Sequence, residues 1–189
     1  IVAKGESFTR KFKLTVFAAN EISPFFYSSE GNPVVRTYVF VPASLGKKTR
    51  VILVMHGRGR NADYYIASWE EWGKKNNYIV VCPEFDRESW TSWRSYNLGN
   101  IFTGSLGSRK ENERSKWSFQ IVENIVTQVK KGFELEKGDF DIFGHSAGAQ
   151  FVHRFALFMP DSEFRIAIAA NSGWYTLPDL SLDFPYGLK

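Results

Sequence analysis

The sequence has very little cysteine and no long apolar segment. Its single cysteine among 189 residues allows no internal disulfide bond. That residue, Cys82, lies in the apolar run YIVVCP, where a buried structural thiol is a more natural interpretation than a nucleophile. No apolar run approaches the roughly 20 residues that cross a bilayer, so we expect no membrane insertion. The first residues, IVAKGESFTR, show no signal-peptide pattern, and the sequence is compatible with a secreted, periplasmic or cytoplasmic protein.

The charge of the chain is close to balanced, and its composition is that of an ordinary globular protein. Lys and Arg number 24 against 20 Asp and Glu, which gives a net charge of +4. An excess of this size does not indicate a nucleic-acid partner. With 43% hydrophobic residues and neither repeats nor low-complexity segments, residues 1–189 are predicted to form one domain.

The pattern of apolar residues predicts a mixed sheet. In KFKLTVFAA (11–19) apolar and polar residues alternate, as they do in VVRTYVFVP (34–42), and these two segments are predicted to pair as antiparallel strands at one edge. Four later runs are apolar throughout, which is typical of parallel strands covered on both faces. These runs are residues 51–55, 78–81, 140–143 and 164–170.

Three segments between or after these runs have the periodicity of amphipathic helices. Their inward residues are Ile66, Trp69 and Gly73 in the first, Trp117, Ile121, Ile125 and Val129 in the second, and Phe151, Phe155 and Phe158 in the third. Strands that alternate with helices predict an α/β fold, with a mostly parallel sheet and helices on both faces. Ligands of such sheets bind beyond the carboxyl ends of the strands.

Ser146 lies between the predicted strand FDIF and the predicted helix AGAQFVHRFALF, in the spacing Gly144-x-Ser-x-Gly148. At such a turn the serine backbone is strained, and the flanking glycines avoid steric clashes. The hydroxyl then stands above the sheet edge, next to the amide groups of the helix N-terminus. The pattern therefore predicts a catalytic nucleophile, and the alternative is a serine that only caps the helix.

A second motif, His56-Gly57-Arg58-Gly59, follows the apolar strand 51–55 and precedes a helix. Acyl transfer needs two N–H donors for the oxyanion of the tetrahedral intermediate. We predict that these donors are the backbone amides of Ala147, which follows the nucleophile, and Arg58. A flexible basic turn and an RNA-binding Arg-Gly tract are the alternatives for GRGR, and one short copy does not favour the second.

Together the segments HGRGRN, PEFDR, YNLGN, GHSAGAQFVHRF and ANSGWYTLPD resemble the α/β-hydrolase superfamily, and within it the esterases related to poly(3-hydroxybutyrate) depolymerases and feruloyl esterases. The resemblance runs from about Val34 to Tyr186. It implies an α/β-hydrolase fold and hydrolysis of small-molecule or polymeric carboxylic esters through an acyl-enzyme, with no metal or organic cofactor. It also implies that Ser146 is the nucleophile and that Arg58 and Ala147 donate to the oxyanion.

The remaining members of a catalytic triad are missing from the sequence. In this fold the acid and then the histidine follow the serine. The only later histidine, His153, lies about 10 Å along the helix from Ser146, which is too far for a general base. His145 should point away from the turn, and the ring of His56 should brace the oxyanion turn. We therefore expect the C-terminal part of the fold to lie outside this chain, which would be the N-terminal portion of a longer catalytic domain.

The long segment from Glu84 to about Ser115 is expected near Ser146, because it leaves the carboxyl end of a central strand. Trp93 and Tyr96 in this segment, and Trp174 after the last strand, are candidate substrate-binding residues. A satellite core beneath the loop is an equally good interpretation of the same aromatic residues. For the chain as a whole, the alternatives to an esterase are a serine peptidase, an acyltransferase, or a catalytically silent binding domain on the same fold.

Overall fold

The computed structural model describes residues 17–46, 48–104, 108–135 and 139–189, together with the backbone of residues 4–5 and 8–9. The main sheet contains strands β1 (Ile22–Tyr27), β2 (Val35–Phe40), β3 (Arg50–Met55), β4 (Tyr78–Glu84), β5 (Phe140–His145) and β6 (Phe164–Ala170). The helices are α1 (Ala62–Asn76), α2 (Trp93–Asn97), α3 (Ser118–Gly132) and α4 (Ala147–Phe158). Two short strand pairs, Lys4–Gly5 with Phe8–Thr9 and Phe102–Thr103 with Lys110–Glu111, and a 3₁₀ turn, Arg114–Lys116, complete the described elements.

The six strands lie in the order β6-β5-β3-β4-β2-β1. Neighbours from β6 to β4 are parallel, whereas β2 is antiparallel to both β4 and β1. The parallel strands therefore all point in one direction, and the segments that follow β3, β4, β5 and β6 meet beyond the carboxyl ends of these strands.

Alternating residues of the central strands face two different cores. Leu53 and Val81 belong to the larger core, which is covered by α3 and α4. Val54 and Val80 belong to the smaller core, where they pack with Ile66 of α1. The mostly parallel sheet with helices on both faces is thus confirmed, because each central strand buries both sides of its pleat.

The three predicted helices are confirmed. Gly73 of α1 lets the helix approach the sheet closely, since a Cβ atom there would lie 2.7 Å from a methyl carbon of Val80. The helix ends at Asn77, which adopts a left-handed conformation and donates its N–H to Gly73 O. No helix in the described ranges is of a length and apolarity that would let it cross a membrane.

The predicted antiparallel N-terminal strand pair is present, but the predicted partner of β2 was wrong. The partner of β2 at that edge is β1, the segment ISPFFY, which the sequence patterns did not reveal because it contains a proline. The other edge of β2 is occupied by β4. Most of the predicted strand KFKLTVFAA (11–19) lies outside the described residues.

The expectation that all four apolar runs are covered on both faces was wrong for β6. Ile166 and Ile168 are 40% and 46% exposed. They pair in register with Asp141 and Phe143 of β5, and no described helix covers that side of β6, because α1 packs on the strands at the other end of the sheet. β6 is an edge strand with one apolar side open to solvent.

Candidate active site

The site is built around the turn between β5 and α4. Ser146 has φ 57° and ψ −115°, a strained backbone conformation for a residue with a side chain. Its N–H donates to Ala170 O at the end of β6, at 3.0 Å. The side chain is partly exposed, and Ser146 Oγ has no hydrogen-bond partner within the described part of the chain.

Both glycines that flank the serine are required by close backbone contacts. A Cβ atom on Gly144 would lie 2.2 Å from Gly148 O. One on Gly148 would lie 2.2 Å from Met55 O and 2.8 Å from His56 O. The second contact holds the first turn of α4 directly against the turn that follows β3.

The turn after β3 is fixed by the imidazole of His56, which is fully buried. Its Nε2 accepts a hydrogen bond from the backbone N–H of Phe85 at 3.1 Å, so the proton lies on Nδ1, which donates to Gly57 O at 3.1 Å. Burial lowers the pKa of His56 to about 3, which keeps the ring neutral. The expected bracing role of this ring is confirmed.

Arg58 lies in the turn after β3 and Ala147 in the first turn of α4, and these two turns pack against each other at Gly148. Ala147 is the first residue of α4, where an N–H has no partner inside the helix. The backbone N–H groups of Arg58 and Ala147 donate no hydrogen bond to another described residue. Ser146 and Ala147 therefore lie on a turn that packs directly against the turn containing Arg58.

The other two histidines also have structural hydrogen bonds. His145 Nδ1 bonds the hydroxyl of Tyr65 on α1 at 3.2 Å. His153 Nδ1 donates to Ala149 O at 2.9 Å, and its Nε2 accepts from the N–H of Thr176 at 3.0 Å. Burial lowers the pKa of His153 to about 4. No histidine of the described chain bonds Ser146 Oγ.

Trp93 and Trp174 lie side by side at the same edge of the sheet, with ring centroids 6.2 Å apart. The side chain of Asn97 at the end of α2 donates to Gln150, one turn of α4 beyond Ser146, at 2.9 Å. A cavity of about 130 Å³ adjoins Trp93 and is lined mainly by aromatic and apolar side chains. The two tryptophans thus remain candidates for a substrate-binding wall.

Tyr96 does not lie on that wall, which corrects the sequence-based expectation. It is fully buried, its ring stacks on His56 at 4.4 Å, and its hydroxyl donates to His56 O at 2.6 Å. A buried phenol usually hydrogen-bonds its hydroxyl within the protein, and here that bond supports the turn that follows β3.

Arg154, which contacts the candidate residue Trp174, was missed by the sequence reasoning. It is fully buried, and burial lowers the pKa of its guanidinium to about 9. Nε donates to the Thr176 hydroxyl at 2.7 Å, and the guanidinium stacks on the Trp174 ring at 4.0 Å. Its position between Phe151 and Phe155, on the inward side of α4, was the sequence signal that could have predicted a buried charge. Arg154 holds Trp174 in place.

No group of three or more potential metal ligands occurs among the residues that the structure describes.

No protein-family model matches the chain, and no curated protein matches it. Solved structures do. Poly(aspartic acid) hydrolase-1 from Sphingomonas sp. KT-1 is 36% identical, with a TM-score of 0.85 over 91% of this chain and 64% of that one. LpqC, a poly(3-hydroxybutyrate) depolymerase from Bordetella parapertussis, is 30% identical, with a TM-score of 0.82 over 91% of this chain and 58% of that one.

A third structure, S-formylglutathione hydrolase FrmB from Staphylococcus aureus, is 19% identical, with a TM-score of 0.59 over 79% of this chain and 56% of that one. At this identity the likeness concerns the fold alone. The chain spans less than two thirds of the length of each of these three structures.

Proposed function

We propose that this chain, which has the α/β-hydrolase fold and resembles solved structures of the esterase and depolymerase type, is a serine hydrolase that cleaves carboxylic esters through an acyl-enzyme. The observation that carries this proposal is the strained backbone of Ser146 between two glycines that admit no side chain. Strain of this kind costs about 1–3 kcal/mol, and a serine that only capped a helix would not need it.

In the proposed reaction Ser146 Oγ attacks the acyl carbon of the ester while its proton passes to a general base. The backbone N–H groups of Ala147 and Arg58 hold the resulting oxyanion. When the intermediate collapses, the bond to the alcohol breaks and the alcohol takes the proton from the base. Water then attacks the acyl-enzyme in the same way, which releases the acid and restores the hydroxyl of Ser146.

We propose that the general base and its acidic partner come from a segment of the same protein outside this chain. Within the described residues all three histidines are hydrogen-bonded elsewhere. In this proposal the segment pairs with β6, which is the last strand of the sheet, has an exposed apolar side and is bonded at its end to the N–H of Ser146. A strand added there would bring new residues to the edge of the sheet where Ser146 lies.

The proposal is tested with the full-length protein that contains this chain and a chromogenic short-chain ester. Ser146→Ala should lower kcat/KM by at least about 10³-fold and abolish labelling by a fluorophosphonate. The control is Ser68→Ala on the exposed surface of α1, which removes a hydroxyl bonded only to its own helix. Turnover retained in Ser146→Ala would refute the nucleophile. If the unmodified protein shows no turnover and no labelling, the chain is part of a silent binding domain.

Amide hydrolysis is the second candidate reaction. It is favoured by the 36% identity to a poly(aspartic acid) hydrolase, whose polymer is joined by amide bonds. Size-exclusion chromatography of poly(aspartic acid) incubated with the full-length protein separates the two candidates. Shortened polymer, together with no release of acid from poly(3-hydroxybutyrate) or short-chain esters, would favour the amidase.

A further inference from the structure

Arginines that form no salt bridge with a described residue lie in and beside the proposed oxyanion turn. Arg58 lies in the turn itself, and Arg87 follows β4, the neighbouring strand. Both side chains are exposed. The guanidinium of Arg87 donates through Nη2 to the backbone carbonyl of Arg58 at 3.0 Å. Arg87 is therefore held against the residue whose amide faces the reacting atoms in the proposed mechanism.

A third guanidinium lies behind these two. Arg60 is half-buried, stacks on the Tyr96 ring at 4.5 Å and donates to the carbonyl of Phe85. Burial, with a contribution from repulsion by Arg87, lowers the pKa of Arg60. The charge of Arg87 thus opposes the charged form of Arg60.

None of these three arginines forms a salt bridge with a described residue. The salt bridges in the described ranges lie mostly at the opposite edge of the sheet: Arg50 with Asp139, Lys130 with Glu163, and Arg165 with Asp141, in addition to Arg36 with Glu84 on β2 and β4. Around the turn the guanidinium groups of Arg60 and Arg87 bond backbone carbonyls instead of carboxylates.

The nearby carboxylates do not pair with them. Asp86 raises the pKa of Arg60 by its charge alone, while its own Oδ1 accepts the backbone N–H groups of Glu88 and Ser89 at 2.9 and 2.7 Å. Glu88 is exposed, and Asp63 lies in the first turn of α1, where a negative charge favours the helix dipole.

We infer that Arg58 and Arg87 form an anion-recognition site beside Ser146, and that the substrate carries a carboxylate near the scissile bond. A guanidinium matches a carboxylate with two parallel hydrogen bonds, and an anion between two arginines relieves their mutual repulsion. This inference rests on the proposed hydrolase function, but it adds the charge of the substrate and the two side chains that select it.

A pair of esters with acyl chains of equal length tests the inference in the full-length protein. Mono-4-nitrophenyl adipate carries a terminal carboxylate, and 4-nitrophenyl hexanoate does not. We expect kcat/KM for adipate to exceed that for hexanoate. Arg87→Gln should lower this ratio about threefold to tenfold. Raising the ionic strength from about 0.01 M to about 1 M should also lower it, because the Debye length falls from about 30 Å to about 3 Å.

Arg50→Gln is the matched control. It removes the same charge at the first residue of β3, at the opposite edge of the sheet, and should leave the ratio at the unmodified value. If Arg50→Gln and Arg87→Gln lower the ratio equally, net charge and not a site is responsible. If the unmodified protein turns over both esters equally well, the inference is wrong while the hydrolase function stands.

Binding decides the inference even if neither ester is turned over. A hexa-aspartate peptide, titrated calorimetrically at low salt, should bind more tightly than hexa-asparagine, and Arg87→Gln should weaken that binding severalfold where Arg50→Gln does not. This result without turnover would refute the proposed function and leave the anion site in place. Equal binding of the two peptides would overturn the anion site itself.

Discussion

The carbonyl oxygens of Met55 and His56 occupy the space that a side chain on Gly148 would need. Backbone atoms cannot rotate away as a flexible side chain would, so the contact can be relieved only by moving α4 away from β3. A single methyl group at this position would therefore increase the distance between the proposed nucleophile and the proposed oxyanion turn.

We predict that Gly148→Ala lowers the free energy of unfolding by about 1–3 kcal/mol, the usual cost of overpacking. Urea denaturation followed by tryptophan fluorescence measures the change. Gly132→Ala at the end of α3 is the control, since no atom lies within 4 Å of its added Cβ and alanine favours the helix by up to about 1 kcal/mol. Equal stability of Gly148→Ala and the unmodified protein would show that the turn yields without cost.

Among the elements, β6 differs from the other parallel strands because it combines an apolar sequence with an uncovered side. An exposed apolar edge strand offers unpaired backbone groups and a hydrophobic surface to any other strand. In this chain that surface includes Ile166 and Ile168.

We predict that the chain of residues 1–189 self-associates through β6, and that Ile168→Lys reduces the association. A lysine at this position leaves the fold of the strand unchanged but places a charge in the proposed interface between two chains. Light scattering coupled to size-exclusion chromatography over a range of protein concentrations measures the effect. Val34→Lys, at the other end of the sheet and 49% exposed, is the control. Unchanged association in Ile168→Lys would show that another surface is responsible.

The helices and the central strands could be predicted from the sequence because their apolar periods are long and regular, as in Ile121, Ile125 and Val129 of α3. The position of Ser146 followed from the same patterns, since a strand and a helix had to meet at that serine. β1 was missed because Pro24 interrupts its pattern. The exposure of β6 could not be predicted, because an apolar run has the same composition whether or not a helix covers it.

Side-chain roles at the site were harder to predict than backbone positions. Tyr96 and Trp93 lie three residues apart in the same short helix, yet one is fully buried and the other is 48% exposed. The ring of His56 on which Tyr96 stacks lies 40 residues away in the sequence, so no local pattern distinguishes the two aromatic residues. The same holds for Arg154, whose partners Thr176 and Trp174 lie in the segment after β6.

At the scale of the whole molecule, the neutral histidines link stability to pH. Burial keeps the pKa of His56 near 3 and that of His153 near 4 in the folded chain, against about 6.5 when the chain is unfolded. Below pH 6.5 the unfolded chain therefore binds protons that the folded chain excludes. The stabilisation is fully present above that pH and is lost as the pH falls towards 4.

We predict that the free energy of unfolding falls between pH 7 and pH 5, and that it falls less steeply in His153→Gln. The difference in slope should approach about 1.4 kcal/mol per pH unit below pH 6, which corresponds to one proton. Urea denaturation at several pH values measures both curves. Carboxylates titrate alike in the two proteins and cancel in the comparison. Parallel curves would mean that His153 takes up its proton in the folded state.

The position of Arg58 also matters for laboratory evolution. In the proposed mechanism residue 58 serves the reaction through its backbone amide, which every residue except proline has, while its side chain points to solvent. At this position the backbone amide would therefore serve the reaction, while the side chain can be changed to alter substrate selectivity. A library that varies residues 58 and 87 together, and excludes proline at 58, would explore new substrate preferences without altering the groups that make and break bonds.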